Sequence, residues 1–245
     1  MTVAQKATEA QGYDLPYHWL RERRTIWRDV HDVYVREAVE RVRATGASRV
    51  IEIGCGDGWN CAQLLEVGVE HVVGADWSEK GIAHATNLVP DAEFFCGDTT
   101  DSSFAASFPD PFDAVLLVEV IEHIPPEHTV LALQNMRSLV RGGGHLVLTT
   151  PSTNWPNTNS LHYRHFTPGL LRELFAEAGG WECVSIEGYG DLRAIDRAQR
   201  CLRLVDNRLF VVKPLQRRIL DWCKGRGVGV DVEHCLGLVA SFRAV

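Results

Sequence analysis

Glu52 stands two residues ahead of the glycines Gly54, Gly56 and Gly58 in the run V-I-E-I-G-C-G-D-G-W-N. Glycines so spaced let a backbone turn sharply and approach a ligand without interference from Cβ. A turn that sets a dinucleotide's pyrophosphate on a helix N-terminus reads G-x-G-x-x-G, whereas the spacing here is G-x-G-x-G. A carboxylate beside such a turn repels phosphate and suits a positively charged ligand, such as an α-ammonium or a sulfonium. The pattern therefore argues against a nicotinamide-dependent oxidoreductase.

Further acids close apolar runs downstream. Asp76 ends H-V-V-G-A-D, Asp98 ends F-F-C-G-D, and Glu119 follows F-D-A-V-L-L-V. An acid closing a strand has little structural reason to be there, so Asp76 is the firmest ligand candidate. Glu122 and His123 follow Glu119, and His162, Tyr163 and His165 lie further on. His123 is a candidate general base by position and by its near-neutral titration. Glu122 and His123 serve equally well as a helix cap or as holders of a loop.

These residues need a frame, and the hydrophobic pattern supplies one. Strands are expected near 49–54, 71–76, 93–97, 112–118, 144–150 and 181–187, with helices near 58–67, 79–87, 127–140 and 168–178. Such alternation implies βαβ units, hence an α/β fold with a parallel sheet and helices on both faces. Gly142–Gly144 is expected to end one helix and open a strand. Thr167 and Pro168 begin another helix, and Gly179 and Gly180 end it. Residues 236–245 read as a closing strand. Ahead of the first strand, Tyr17 to Ala44 reads as one or two helices with Leu20, Trp27, Val30, Val33 and Val42 on an apolar stripe. Residues 1–12 are polar and expected to be loose.

Taken together the acidic-x-G-x-G-x-G turn, Asp76, Asp98 and the Glu119 strand resemble class I S-adenosylmethionine-dependent methyltransferases over residues 45–190. The resemblance implies a doubly wound, Rossmann-like sheet of seven strands, the last antiparallel. It divides the chain into an N-terminal helical cover, 1–44, and a cofactor-binding domain, 45–245. It implies S-adenosylmethionine as cofactor, held by Glu52, Gly54, Cys55, Gly56, Gly58, Asp76, Trp77, Ser78, Asp98, Thr99, Val118 and Glu119. Asp76 would receive the ribose hydroxyls and Asp98 the adenine amino group. Trp77 would stack on adenine or simply cover it. Glu122, His123, His162 and His165 are the catalytic candidates. Tyr17, Trp19 and Tyr163 are candidates for acceptor contact, with plain packing the competing role for Tyr17 and Trp19. The E-x-x-E-H segment also resembles the metal-binding segment of small-RNA 2′-O-methyltransferases, with His162 or His165 as the later histidine. That pattern is common in metal-free relatives, so no metal is expected. Within the broad family the segments E-V-I-E-H-I-P and H-F-T-P resemble the quinone and natural-product group. The expected reaction is methyl transfer to an O or N nucleophile of a small molecule. A catalytically silent cofactor-binding protein on the same fold is the other possibility.

Composition bounds the rest. The 245 residues suffice for one α/β domain. A formal net charge of −7 argues against general nucleic-acid binding. Seven scattered cysteines without a C-x-x-C pair, and an N-terminus without an apolar signal core, point to reduced thiols in a cytoplasm. The segment 191–226 holds ten Lys or Arg against four Asp, with apolar residues including Ile195, Leu202, Leu209, Phe210 and Trp222. Pro214 should split it into two helices. This basic insertion is a solvated helical face, a surface for an anionic acceptor, or a peripheral contact with anionic lipid.

Overall fold

A computed structural model describes residues 14–20, 25–205 and 212–245. The sheet has seven strands in the order β3-β2-β1-β4-β5-β7-β6. They are β1 (Arg49–Ile53), β2 (His71–Asp76), β3 (Glu93–Cys96), β4 (Phe112–Val118), β5 (Val140–Pro151), β6 (Trp181–Asp191) and β7 (Cys235–Ala244). Strands β1 to β5 pair in parallel, and β7 runs antiparallel to both β5 and β6. The helices are α1 (Ile26–Ala44), α2 (Trp59–Glu66), α3 (Glu79–Leu88), α4 (Pro126–Leu139), α5 (Pro168–Ala178), α6 (Leu192–Val205) and α7 (Lys213–Lys224).

The central strands read as continuous apolar runs because both faces are covered. Val50, Ala114, Leu116 and Val147 pack with Val39 and Val42 of α1 on one side. Ile51, Val115, Leu117 and Leu146 pack with Leu133 and Met136 of α4 on the other. Strand order reverses between β1 and β4, which opens a crevice at their C-terminal ends. Both the glycine turn after β1 and Glu119 after β4 sit there.

Several expectations shift. Helix α4 ends at Leu139, and β5 begins at once, because Val140 pairs with Phe112 before Ala114 pairs with His145. Gly142–Gly144 therefore lie inside a bulged strand rather than at its start. Strand β6 runs on to Asp191, since Asp191 still pairs with Cys235 of β7. Of the N-terminal stripe, Val30, Val33 and Val42 are buried, whereas Leu20 and Trp27 are exposed. Thr25 caps α1 by accepting from Arg28 N, so Leu20 precedes the helix. Pro214 lies in the first turn of α7. Residues 1–12, and Asp206, Arg208, Leu209 and Phe210 of the basic segment, lie outside the described residues. No described helix is long and apolar enough to cross a membrane. All seven cysteines are free of disulfides.

Candidate active site

Gly54, Gly56 and Gly58 take φ values of 76°, 51° and 79°, the left-handed region that favours glycine. Gly54 and Cys55 both donate to Ala75 O, which ties the turn to the end of β2. A Cβ on Gly54 would lie 2.4 Å from Val120 Cγ2, so only glycine fits. Asp76 sits against this turn and is buried. Its Oδ2 accepts from Gly56 N at 2.9 Å and its Oδ1 from Ser78 N at 2.8 Å. The Trp77 backbone N–H also bonds this carboxylate, which still keeps a lone pair for a ligand. Burial pushes the Asp76 carboxyl up, and the backbone N–H groups of Ser78 and Gly56 oppose that.

A first cavity is bounded by Gly54, Asp76, Trp77, Asp98, Thr99, Glu119 and His123. Its residues fit the cofactor implied by the glycine turn. Thr99 Oγ1 is buried without a hydrogen-bond partner among the described residues, and Asp76 lines the same cavity. Asp98 lines the cavity, and its Oδ1 accepts from Thr100 N and Oγ1.

Six expected cofactor residues do not line this cavity. Glu52 is fully buried beneath the turn, where it accepts from Asn60 Nδ2 at 2.7 Å and Cys61 Sγ at 3.0 Å. Burial pushes its carboxyl up to about 7, and it lines neither cavity. Cys55 points into the core beside Gly74. Ser78 Oγ accepts from Gly81 N as the cap of α3. Val118 packs on the core. Gly56 and Gly58 shape the turn without forming the wall.

A second cavity opens on the other side of Glu119. Trp27, His31 and Tyr34 of α1 face Trp155, His162, His165 and Tyr189 across it. Trp27 and Trp155 meet edge to face at 5.5 Å. Sequence reasoning missed this wall, although 27, 31 and 34 follow the i, i+4, i+7 spacing of one helix face. Glu119 has φ 56°, and among the described residues no other non-glycine has positive φ. Its carboxylate accepts from Tyr189 Oη at 2.9 Å. Burial pushes it up to about 7.

His123 borders the first cavity and its ring lies 4.7 Å from that of His162. Burial pushes both imidazoles down to about 4, which holds them neutral near pH 7. His165 Nδ1 lies 2.9 Å from Trp155 O and therefore carries a proton, since a carbonyl can only accept. His165 Nε2 lies 3.1 Å from His162 Nδ1. Glu122 is fully buried and accepts from Thr150 Oγ1. Ligand atoms of Glu122, His123 and His162 lie within 4.8 Å of one another. Glu122, Tyr163, Tyr17 and Trp19 line neither cavity. Tyr163 N bonds Glu122 O. Tyr17 stacks on His18, and Trp19 packs edge to face on Trp59 and donates to Asp57 O. Trp19 is therefore set on the glycine turn, and Tyr17 packs on His18, which itself bonds Asp57 of that turn.

Residues 20–187 match a family model described as a methyltransferase domain. The ubiquinone biosynthesis O-methyltransferase of Aeromonas salmonicida is 26% identical over 154 residues, covering 62% of this chain and 59% of that one. The demethylmenaquinone methyltransferase of Beutenbergia cavernae is 32% identical over 128 residues, covering 52% of this chain and 48% of that one. The chain thus spans about half the length of these relatives. A solved structure of an S-adenosylmethionine-dependent methyltransferase from Mesorhizobium loti matches with a TM-score of 0.56 at 18% identity, over 83% of this chain and 96% of that one, a likeness of fold.

Proposed function

The chain belongs to the class I S-adenosylmethionine-dependent methyltransferases, and from that premise we propose that it methylates an O or N nucleophile of a small molecule held in the second cavity. One observation carries the reading: two cavities of different chemistry meet at Glu119. When bound, S-adenosylmethionine supplies a methyl group already activated by a positively charged sulfur. What the chain must add is position, with the nucleophile brought to about 3–3.5 Å and aligned. Asp76 and Asp98 are the proposed cofactor anchors, and Gly54 lets the backbone come close. His123 and His162, neutral at pH 7, are proposed to accept the acceptor's proton at a ring nitrogen. The O-methyltransferase relative from Aeromonas and the quinone-directed relative from Beutenbergia support a small acceptor. Calorimetry should show binding of S-adenosylmethionine and S-adenosylhomocysteine but not NAD. Binding of NAD alone would overturn the reading.

A second reading rests on the approach of Glu122, His123 and His162. Two neutral imidazoles and a carboxylate are a donor set for a divalent cation. Such an ion would supply Lewis acidity toward an acceptor oxygen. Dialysis against EDTA decides between the two. Turnover is expected to persist. Loss of turnover restored by Mg²⁺ or Mn²⁺ would favour the cation.

A further inference from the structure

We propose that Glu119 is the acceptor-recognition residue of this chain, anchoring an O–H or N–H of an uncharged ring compound in the second cavity. The inference rests on the methyl-transfer reading above and names the class of acceptor. Among the described residues Glu119 alone borders both cavities. A group that fixes the acceptor relative to the cofactor must stand at that junction.

The backbone supports the same assignment. A left-handed conformation is costly for a glutamate, and such strain persists where surrounding structure enforces it, often at ligand sites. Here the chain turns through Glu119 directly after β4, and Glu119 N donates to Thr149 O of β5. The turn aims the carboxylate into the junction instead of along the strand. Tyr189 Oη, brought by β6, then holds Oε1 at 2.9 Å. Tyr189 is itself buried, with its ring 4.7 Å from Tyr34. One carboxylate oxygen is thus fixed by the protein, and the carboxylate retains lone pairs for a donor from the acceptor.

The described walls weigh against an anionic acceptor. The second cavity is lined by Trp27, Tyr34, Trp155 and Tyr189 together with histidines and, among the described residues, by no Lys or Arg. An acceptor carboxylate or phosphate there would meet Glu119 with no lysine or arginine among the described lining residues to balance it, and like charges in a low-dielectric site repel strongly. Aromatic walls instead favour a flat ring by edge and face contact. The cavity volume of about 240 Å³ falls below the roughly 300–1,000 Å³ of drug-sized pockets, which suits a single ring system. The ring would lie between the two tryptophans and the two tyrosines, with its donor toward Glu119.

The test uses the full chain saturated with S-adenosylhomocysteine and two probes of similar shape, 4-ethylphenol and 4-hydroxyphenylacetate. Ligand-observed NMR should show 4-ethylphenol binding at least tenfold more tightly than the carboxylate. Glu119→Gln should weaken 4-ethylphenol roughly tenfold and narrow its advantage over the carboxylate. Tyr189→Phe, which keeps the ring, should give a smaller loss and the same narrowing, which a merely structural role would not produce. Near-UV circular dichroism checks that both variants keep their packing. Equal or tighter binding of the carboxylate, or no binding of either probe at millimolar concentration, would overturn the proposal. So would a Glu119→Gln variant that loses S-adenosylhomocysteine and keeps 4-ethylphenol. Failure of the wild type to bind S-adenosylhomocysteine, with the phenol preference intact, would instead sink the methyl-transfer reading alone.

Discussion

His18 clasps Asp57 across 39 positions of sequence, with Nδ1 2.8 Å from Oδ1 and the His18 backbone N 3.1 Å from Oδ2. Asp57 is fully buried within the glycine turn. Trp19 Nε1 donates to the Asp57 carbonyl, and Lys80 pairs with Asp14 at 2.5 Å. The segment 14–20 is therefore strapped onto the turn that shapes the first cavity. Asp57→Ala should free the segment and leave His18 N and Nδ1 without their acceptor. Limited proteolysis ahead of residue 25 should then accelerate, and S-adenosylhomocysteine affinity should fall several-fold. Wild-type cleavage rates in the variant would show that the clasp does not hold the strap.

Asp76 has two duties, and Asp76→Ala should reveal both. Loss of charge-assisted bonds to a ligand is worth about 1.5–3 kcal/mol each, so S-adenosylmethionine affinity should fall roughly tenfold or more. Gly56 N and Ser78 N also lose their buried acceptor, an added cost of about 1–3 kcal/mol in stability. Calorimetric titration and thermal denaturation read the two effects separately. An unchanged dissociation constant would remove Asp76 from the site.

The contrast between Asp76 and Tyr189 shows what the chain discloses locally. The sheet and its glycine turn were legible because apolar runs and positive-φ glycines are local constraints. The place of Asp76, Asp98 and Thr99 on the first cavity was legible because they follow strand ends at the sheet's C-terminal edge. Glu52 misled because its charge was weighed without its burial. Only the packing of α2 shows Asn60 and Cys61 closing over it. Ser78 was a ligand candidate by position, yet its hydroxyl is committed to the cap of α3. The second cavity was not legible. Trp155 follows β5, whereas Tyr189 lies on β6, which β7 separates from β5 in the sheet, and Tyr189 is 70 positions away from its partner Glu119.

Glu52 also sets a pH dependence. Its carboxyl rises from 4.5 to about 7 in the fold, chiefly by burial. The folded chain thus binds this proton more tightly than the unfolded chain. The stability so gained is complete below about pH 4.5 and is lost as pH rises through about 7. Its full size is on the order of a few kcal/mol. Glu119 rises likewise, so Glu52→Gln should reduce the fall of melting temperature between pH 5 and pH 8.5 without abolishing it. Scanning calorimetry across that range checks it. A slope as steep as the wild type's would place the effect elsewhere.

The basic segment offers the last test. Ile195 and Ala198 of α6 and Leu220 and Cys223 of α7 are buried against Ile26 and Val30 of α1 and against Tyr189. The helix pair thus backs one wall of the second cavity, yet no residue of either helix lines it. Several of its cations are already engaged on the outer face: Arg200 pairs with Asp196, and Arg226 lies over the Trp222 ring at 4.4 Å. Exposed pairs of this kind contribute little to stability. Reversing Arg200, Arg203 and Arg217 together to Glu should therefore leave 4-ethylphenol affinity within about twofold and the melting temperature nearly unchanged. Co-sedimentation with vesicles rich in phosphatidylglycerol should likewise show no difference between wild type and variant. Exposed Leu204 and Leu215 lie on the same helices, so the lipid assay is the demanding arm. Wild-type sedimentation that the reversal abolishes, and that fades as the Debye length shrinks from about 10 Å at 0.1 M salt to about 3 Å at 1 M, would make this face a membrane contact. A salt-sensitive loss of acceptor affinity would instead tie its charge to the second cavity and count against an uncharged acceptor.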